Sequence, residues 1–299
     1  MIQNLSTPRR IVVGVDSSDN ASRAAEWAAR QAADLGVPLY LLHALDLSAG
    51  PSGSDGHHGA GHEAGERSGF VEARWQDGER LVDRIAIRLG ERFPGVAVRA
   101  ELSESNAPEA LIDQSGQSTM VVTGTRGHGG FAGLLLGSVS LKVAAHGLGP
   151  AVVVRGEQPG EPYNEIVLGV EPGEAEPPMR YAFAMAAALR STLTVVRAWW
   201  PHPAYGGYYT GDHELTETNQ TAEADTLIKG LREEYPDVDV STAAMRGNAV
   251  PMLIEAARGS RLLVIGAHRR RSPLSVGAGY VLQGLLSHSP TPVAVVPIE

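Results

Sequence analysis

Short apolar runs rich in β-branched residues alternate along the chain with alanine-rich segments whose apolar positions recur at helical spacing. The runs predict five strands in the first half of the chain, at 11–15, 38–44, 96–102, 119–123 and 151–154. They predict five more in the second half, at 166–170, 192–198, 238–243, 261–265 and 293–296. Regular alternation of strand and helix is typical of a parallel sheet with right-handed crossovers and helices on both faces.

The same order of strands, helices and motif residues occurs twice along the chain. Residues 10–16 (RIVVGVD) return as 165–171 (EIVLGVE), and Gly124 and Gly137 return as Gly266 and Gly279. The separation falls from 155 to 142 residues, which indicates about 13 extra residues in the first copy, and we assign them to an aperiodic Gly/Ser/His stretch at 47–69. The polar, turn-rich residues 156–162 predict a boundary between domains at 1–156 and 157–299. The prediction is an α/β protein with two tandem doubly wound parallel-sheet domains of five strands each.

Composition narrows the functional classes. The net charge of −9 argues against a nucleic-acid surface, because binding there depends on neutralising phosphates. The chain has no cysteine, which removes thiol and disulfide chemistry, and no apolar run long enough to span a membrane. Only five apolar residues, 11–15, follow Arg9 and Arg10, which is too short for the core of a signal peptide. We therefore expect a cytoplasmic protein with neither nucleic-acid nor membrane partners.

A glycine motif follows the fourth predicted strand: Gly124, Gly127 after two residues, then Gly137 and Ser138 after nine more. Backbone N–H groups at the start of a helix, with a hydroxyl beside them, bind phosphate oxygens well. Asp16 directly follows the first strand. If the strand order in each copy is 3-2-1-4-5, the ends of the first and fourth strands are neighbours and face one crevice.

These residues resemble the universal stress protein family, and more narrowly its tandem members of the ATP-binding branch. The resemblance implies an adenine-nucleotide α-hydrolase-like fold, bound ATP with or without Mg²⁺, and fifth strands that join one copy to the other. It implies contacts to adenosine from Gly14, Val15 and Asp16, to the adenine edge from Ala44, and to base and ribose from Thr123 and Gly124. It implies phosphate contacts from Gly127, Gly137, Ser138, Val139 and Ser140. From their position in the loop, we add Arg126 and His128 as compensating charge.

Alternatives remain at this site. The glycines could form only a flexible surface loop, and Asp16 could act as the N-cap of the first helix. The second copy departs from the motif, with Glu171, Arg269 and Tyr280 where the first has Asp16, Gly127 and Ser138. We therefore expect it not to bind ATP in the family manner. Three consecutive arginines, 269–271, favour a solvated loop over a different anion site.

Weaker signals lie outside the motif. His57, His58 and His62 with Asp55 and Glu63 favour a disordered insert over a transition-metal site. Aromatic residues after the second strand of copy two favour local loop packing over a pocket cover or an intersubunit contact: Trp199, Trp200, Tyr205, Tyr208 and Tyr209. Apolar fifth strands have edges that invite pairing, and a homodimer of the tandem chain is a further expectation.

Three functions compete. The first is a nucleotide-binding regulator of the stress type that acts through conformation or partners without efficient turnover. The second is a nucleotide-hydrolysing or nucleotidyl-transferring enzyme of the related superfamily, which needs a Ser-Gly-Gly-x-Asp-Ser loop where this chain has Val-Asp-Ser-Ser-Asp-Asn. The third, a nicotinamide dehydrogenase, needs Gly-x-Gly-x-x-Gly after the first strand, and neither copy has it. The regulator fits best.

Overall fold

The computed structural model of the chain describes residues 7–47, 60–127, 136–156, 163–171, 173, 175–200, 213–268 and 279–298. For residues 60–68, 163 and 213–216 it describes the backbone alone. His128, Arg269 and Tyr205 are among the residues that lie outside this description.

Ten strands form one sheet in the order β3-β2-β1-β4-β5-β10-β9-β6-β7-β8. The strands of the first copy are β1 (Arg10–Gly14), β2 (Leu39–Ala44), β3 (Val98–Ser103), β4 (Thr119–Gly124) and β5 (Ala151–Val154). Those of the second copy are β6 (Tyr163–Gly169), β7 (Thr192–Trp199), β8 (Val240–Arg246), β9 (Ser260–His268) and β10 (Val293–Ile298). Each copy is parallel and runs 3-2-1-4-5 in its own numbering, as the sequence predicts.

The helices lie on both faces of this sheet. In the first copy they are α1 (Asp19–Leu35), α2 (Ala60–Arg92), α3 (Ala107–Gln114) and α4 (Ser138–His146). In the second they are α5 (Glu176–Leu189), α6 (His213–Glu234), α7 (Ala249–Ala256) and α8 (Tyr280–His288). Buried residues of α1, α2, α5 and α6 share one continuous core with one face of the strands, and the other four helices cover the opposite face.

The two copies join through their fifth strands. β5 and β10 pair antiparallel, with Val153 opposite Val293 and Val152 opposite Ala294. This confirms that the fifth strands connect the copies. Asp34, near the end of α1, forms an ion pair with Arg261 of β9 and links the copies a second time on the α1 side of the sheet.

A second hydrophobic cluster spans this junction on the opposite face, and we call it the second-copy cluster. Twelve of its fourteen buried members belong to the second copy and two, Ala144 and Val153, to the first. The second-copy members are Val167, Val196, Val250, Leu253, Ala257, Leu263, Ile265, Leu282, Leu285, Leu286, Val293 and Val295.

Helix starts follow the sequence in two places. Ser18 is the N-cap of α1, and its hydroxyl accepts from the Ala21 N–H at 3.1 Å. Asn106 caps α3, and its side-chain oxygen accepts from the Glu109 N–H at 3.1 Å. The N-cap of α4 is Gly137, which has no side chain to offer, and its helix begins without a side-chain cap.

The predicted aperiodic insert at 47–69 is partly wrong. Residues 60–69 form the first turns of α2, although Gly61, Gly65 and Gly69 suggested an irregular chain. Extending an existing helix needs no new nucleation, so the helix formers between these glycines join the amphipathic segment that follows them. The strands of copy two also begin or end beyond their predicted limits. β9, for example, runs from Ser260 to His268 rather than from 261 to 265.

Candidate functional site

A cavity of about 230 Å³ opens at the carboxyl ends of β1, β2 and β4, in the first copy. The residues that line it come from these strand ends, from the turns that follow them, and from α1, α3 and α4. They are Gly14, Val15, Asp16, Ala21, Leu42, His43, Ala44, Ala107, Leu111, Thr123, Gly124, Arg126, Gly127, Val139 and Ser140. Its place is where ligands bind in open parallel sheets.

Ten of the thirteen predicted site residues line this one cavity: Gly14, Val15, Asp16, Ala44, Thr123, Gly124, Arg126, Gly127, Val139 and Ser140. Gly137 and Ser138 lie at the start of α4 and do not line it. His128 lies outside the described residues. The structure therefore brings together residues that are up to 126 positions apart in the chain, from Gly14 to Ser140.

Asp16 organises the turn between β1 and α1. Its Oδ1 accepts from the Ser18 N–H at 2.9 Å, and Ser18 rather than Asp16 caps the helix. Its other oxygen, Oδ2, lies so close to Gly127 that a Cβ at that position would collide with it. A side chain at position 127 would therefore displace the Asp16 carboxylate, which is a reason for Gly127 independent of any ligand.

Gly14 and Gly124 also allow close packing, against a side chain at Gly14 and against backbone at Gly124. A Cβ on Gly14 would stand 2.9 Å from Leu111 Cδ1, and in copy two one on Gly169 would meet Leu253 at the same distance. A Cβ on Gly124 would stand 2.7 Å from the Asn20 backbone oxygen in the first turn of α1. Gly14 therefore lets α3 approach the end of β1, and Gly124 lets α1 approach the end of β4.

Hydrogen bonds hold the start of α4 beside the end of β4. The Gly137 N–H donates to the Thr125 carbonyl at 2.6 Å, and the Ser140 hydroxyl donates to the Gly124 carbonyl at 2.5 Å. The Ser140 hydroxyl is thus already engaged within the protein. Val139, one residue earlier, faces the cavity.

Two buried polar atoms of this region have no hydrogen-bond partner among the described residues. They are Thr123 Oγ1 and Arg126 Nε. Thr123 is only 5% exposed, and it lines the cavity. A buried polar atom left unsatisfied is costly, so both atoms call for a partner beyond the described residues.

Five lining residues were missed at the sequence level: Ala21, Leu42, His43, Ala107 and Leu111. The clearest is His43, whose Nδ1 lies 2.8 Å from the Val15 carbonyl; that carbonyl requires a proton on Nδ1. His43 immediately precedes the predicted Ala44, so the end of the second strand carried the signal. The lining residues of α1 and α3 could be predicted only from the way these helices pack on the strand ends.

The matching positions of copy two are filled differently. At the constant separation of 142 residues, Thr123 becomes Ile265 and Ser140 becomes Leu282, both buried in the second-copy cluster. Arg197 replaces His43, is 6% exposed and forms an ion pair with Glu223 of α6. Tyr280, in place of Ser138, is 75% exposed. Hydroxyls that face the first cavity are therefore replaced by apolar core residues.

The described part of the chain has neither a metal-binding cluster nor a membrane-spanning helix. Among those residues, no three or more His, Asp or Glu side chains stand together in a way that could hold a metal ion. None of the described helices is long and apolar enough to cross a membrane. The predicted His-rich group falls on residues, or on side chains, that the structure does not describe.

Comparison with known proteins gives the family. The sequence pattern of the universal stress protein family matches residues 7–155 and again residues 162–297. The chain belongs to the universal stress protein family. Among relatives, a universal stress protein of Mycolicibacterium smegmatis is 29% identical over 311 residues, covering 99% of both chains. One from Mycobacterium tuberculosis is 27% identical over 300 residues, covering 95% of this chain and 94% of its own.

Solved structures agree on the fold of this universal stress protein. A universal stress protein from Archaeoglobus fulgidus is similar, with a TM-score of 0.65, 15% identity, and coverage of 97% of this chain and 98% of that one. A functionally unknown protein from Pseudomonas aeruginosa has a TM-score of 0.55, 16% identity, and coverage of 98% and 94%. At these identities the likeness concerns architecture alone, and it extends over both copies.

Proposed function

We propose that the first copy binds ATP in the cavity at the ends of β1 and β4, and that the protein acts as a regulator in the stress response through conformation or partners. The observation that carries this proposal is Thr123, whose buried hydroxyl lines the cavity without a partner among the described residues. A ribose hydroxyl or a base nitrogen is the kind of group that satisfies it.

The division of the site follows from the elements that form it. Ala44, at the end of β2, offers its backbone to the adenine edge, while Asp16 and Thr123 stand beside base and ribose. The phosphates extend towards Gly127 and the start of α4, where Gly137, Ser138, Val139 and Ser140 begin the helix. Arg126 and His128 compensate phosphate charge. A nine-residue helix directs its free N–H groups at this point.

Mg²⁺ enters the proposal only as a companion of the nucleotide. Asp16 is the one carboxylate that lines the cavity among the described residues. Because Mg²⁺ is commonly held by one or two carboxylates together with substrate phosphates, the cation depends on ATP for its remaining ligands.

In this proposal the second copy does not bind ATP. Ile265 and Leu282 place apolar groups where the first copy has hydroxyls, and the Arg197–Glu223 ion pair occupies the place of His43. We infer that one ATP is bound per chain. The domain boundary between residues 156 and 157, the cytoplasmic location and a homodimer of the tandem chain belong to the same proposal.

The deciding experiment counts nucleotide. Purified protein is denatured, and the released adenine nucleotide is identified and counted per chain by chromatography, before and after incubation with ATP. We expect about one ATP per chain. Two per chain would overturn the inference about the second copy. None, together with no uptake of added ATP, would overturn the proposed function.

Two variants make this count specific. Gly127→Arg puts a side chain where Asp16 Oδ2 already lies and into the path of the phosphates, so we expect it to abolish binding. Gly279→Ala, at the copy-two position that corresponds to Gly137, is a control outside the cavity, because a Cβ there meets nothing within 4 Å. Normal binding by Gly127→Arg would contradict the steric argument. Rapid release of AMP and pyrophosphate would favour the enzyme alternative over the regulator.

A further inference from the structure

The hydrogen-bond ladder between β1 and β2 ends at the cavity. Its last bond runs from the Val15 N–H to the Leu42 carbonyl at 2.9 Å. In a parallel pair, the next bond of the same ladder would run from the Ala44 N–H to the Val15 carbonyl. That bond is not formed, although Val15 and Ala44 are both described and both line the cavity. The two strands therefore separate one bond before Ala44.

The ring of His43 takes the place of that bond. Its Nδ1 donates to the Val15 carbonyl at 2.8 Å, so this carbonyl already has a partner. On its other side the ring meets α2 at Gly78, where an added Cβ would stand 3.2 Å from His43 Cδ2 and 2.8 Å from Leu45 Cδ2. The ring is therefore held between α2 and the end of β1, on the acceptor that the Ala44 N–H would otherwise use.

The backbone of Ala44 is left open to the cavity. Successive residues of a strand direct their N–H and C=O groups to opposite neighbours, and the Leu45 N–H donates to the Ser103 carbonyl of β3 at 2.8 Å. The N–H and C=O of Ala44 therefore point to the β1 side, where the cavity lies. A donor beside an acceptor matches N1 and the 6-amino group of adenine, whereas a 6-oxopurine presents a donor at N1 and an acceptor at C6.

We propose that His43 is a positioning residue for recognition of a 6-aminopurine base. By holding the Val15 carbonyl, it ends the β1–β2 ladder early and keeps the Ala44 N–H and C=O open to the edge of the base. The inference rests on the proposed ATP site and gives a reason why that site takes adenine. Without the ring, the carbonyl of Val15, a residue only 5% exposed, captures the Ala44 N–H, because buried carbonyls are rarely left unpaired.

Calorimetry with ATP and with inosine triphosphate tests this role in the full-length protein, because the two nucleotides differ only at the N1–C6 edge of the base. His43→Leu removes the donor. His43→Asn keeps one, because the Asn amide nitrogen lies as many bonds from the backbone as Nδ1 does. Tyr40→Leu is the matched control, since it removes a ring from the same strand that does not line the cavity.

We expect His43→Leu to lower ATP affinity about tenfold and to leave the affinity for inosine triphosphate unchanged. His43→Asn and Tyr40→Leu should keep the wild-type preference for ATP. Thermal unfolding of each variant separates lost stability from lost affinity. Equal losses of affinity for both nucleotides in His43→Leu, or no loss for either, would overturn the inference alone.

Amide exchange followed by NMR supplies a reading that a purely structural histidine would not move. Without nucleotide, we expect the Ala44 N–H to exchange faster in the wild type and in His43→Asn than in His43→Leu, where the ladder has closed. An Ala44 N–H that exchanges as fast in His43→Leu as in the wild type would overturn the inference. A wild-type chain that binds neither nucleotide would overturn the proposed function and this inference with it.

Discussion

At the scale of single residues, Thr123 carries the sharpest conflict between stability and binding. Its hydroxyl is buried at the cavity wall without a partner among the described residues. Thr123→Val keeps the shape and removes the unsatisfied atom. We expect the free energy of unfolding without nucleotide to rise by about 1 kcal/mol. ATP affinity should fall about tenfold, because the ligand loses its hydrogen bond.

The same strand supplies the control for this prediction. Thr119 lies at the other end of β4 and is also 5% exposed, but its hydroxyl accepts from Arg10 Nε at 3.1 Å. Thr119→Val therefore breaks a hydrogen bond and should destabilise the protein while leaving ATP affinity unchanged. Urea unfolding gives the free energy of unfolding of each variant, and calorimetry gives the ATP affinity of each. Wild-type affinity in Thr123→Val would contradict the role assigned to the hydroxyl.

At the scale of elements, one ion pair occurs in both copies with its charges exchanged. Arg92 of α2 reaches Glu26 of α1 at 2.9 Å, and in copy two Arg180 of α5 reaches Glu234 of α6. Arg180 also pairs with Glu176, and its hydrogen bond to Glu234 is the main cause that raises its pKa. Each pair ties the long helix to the first helix of its copy. The ion pair therefore occurs in both copies, although the Arg and the Glu have exchanged helices.

The two ion pairs differ in burial, so we expect them to contribute differently to the free energy of unfolding. The Arg180 side chain is 17% exposed, against 55% for Arg92. Because the partner carboxylates are half exposed, we expect Arg180→Met to lower the free energy of unfolding by only about 1 kcal/mol, and Arg92→Met by less than about half of that. Urea unfolding in low and high salt checks this, since screening should shrink the first effect. Equal losses of unfolding free energy for Arg180→Met and Arg92→Met would contradict this prediction.

The strands and the repeat were predictable because their signals are local. Apolar runs gave ten strands, and the repeated order 3-2-1-4-5 is confirmed in each copy. The first turns of α2 were missed because three glycines hid a helix that is stabilised by the residues after it. Leu111 at the cavity and Ile265 in copy two were missed for a different reason. Their roles depend on which helix or cluster packs across the strand ends, and no single segment encodes that.

At the scale of the whole molecule, the copies depend on each other through contacts that neither contains alone. Arg261 of β9 is largely buried, with its side chain 15% exposed, and it pairs with Asp34 of α1 in the other copy. Burial, and after it the nearby charge of Arg30, lower the pKa of Arg261, and the carboxylate of Asp34 lies against this guanidinium. The ion pair therefore matters more to the junction than an exposed pair would.

Removing Asp34 should weaken the whole chain rather than one copy. Asp34→Asn leaves the guanidinium facing Arg30 without its carboxylate, and we expect a loss of about 1–2 kcal/mol, moderated because Asp34 is 39% exposed. Since β5 and β10 share one sheet, urea should still unfold both copies in a single transition, displaced to lower denaturant. The double variant Asp34→Asn with Arg261→Met should recover part of the loss, because the uncompensated charge is gone. Two separate transitions in the wild type, or no displacement in Asp34→Asn, would show that the copies are stabilised independently.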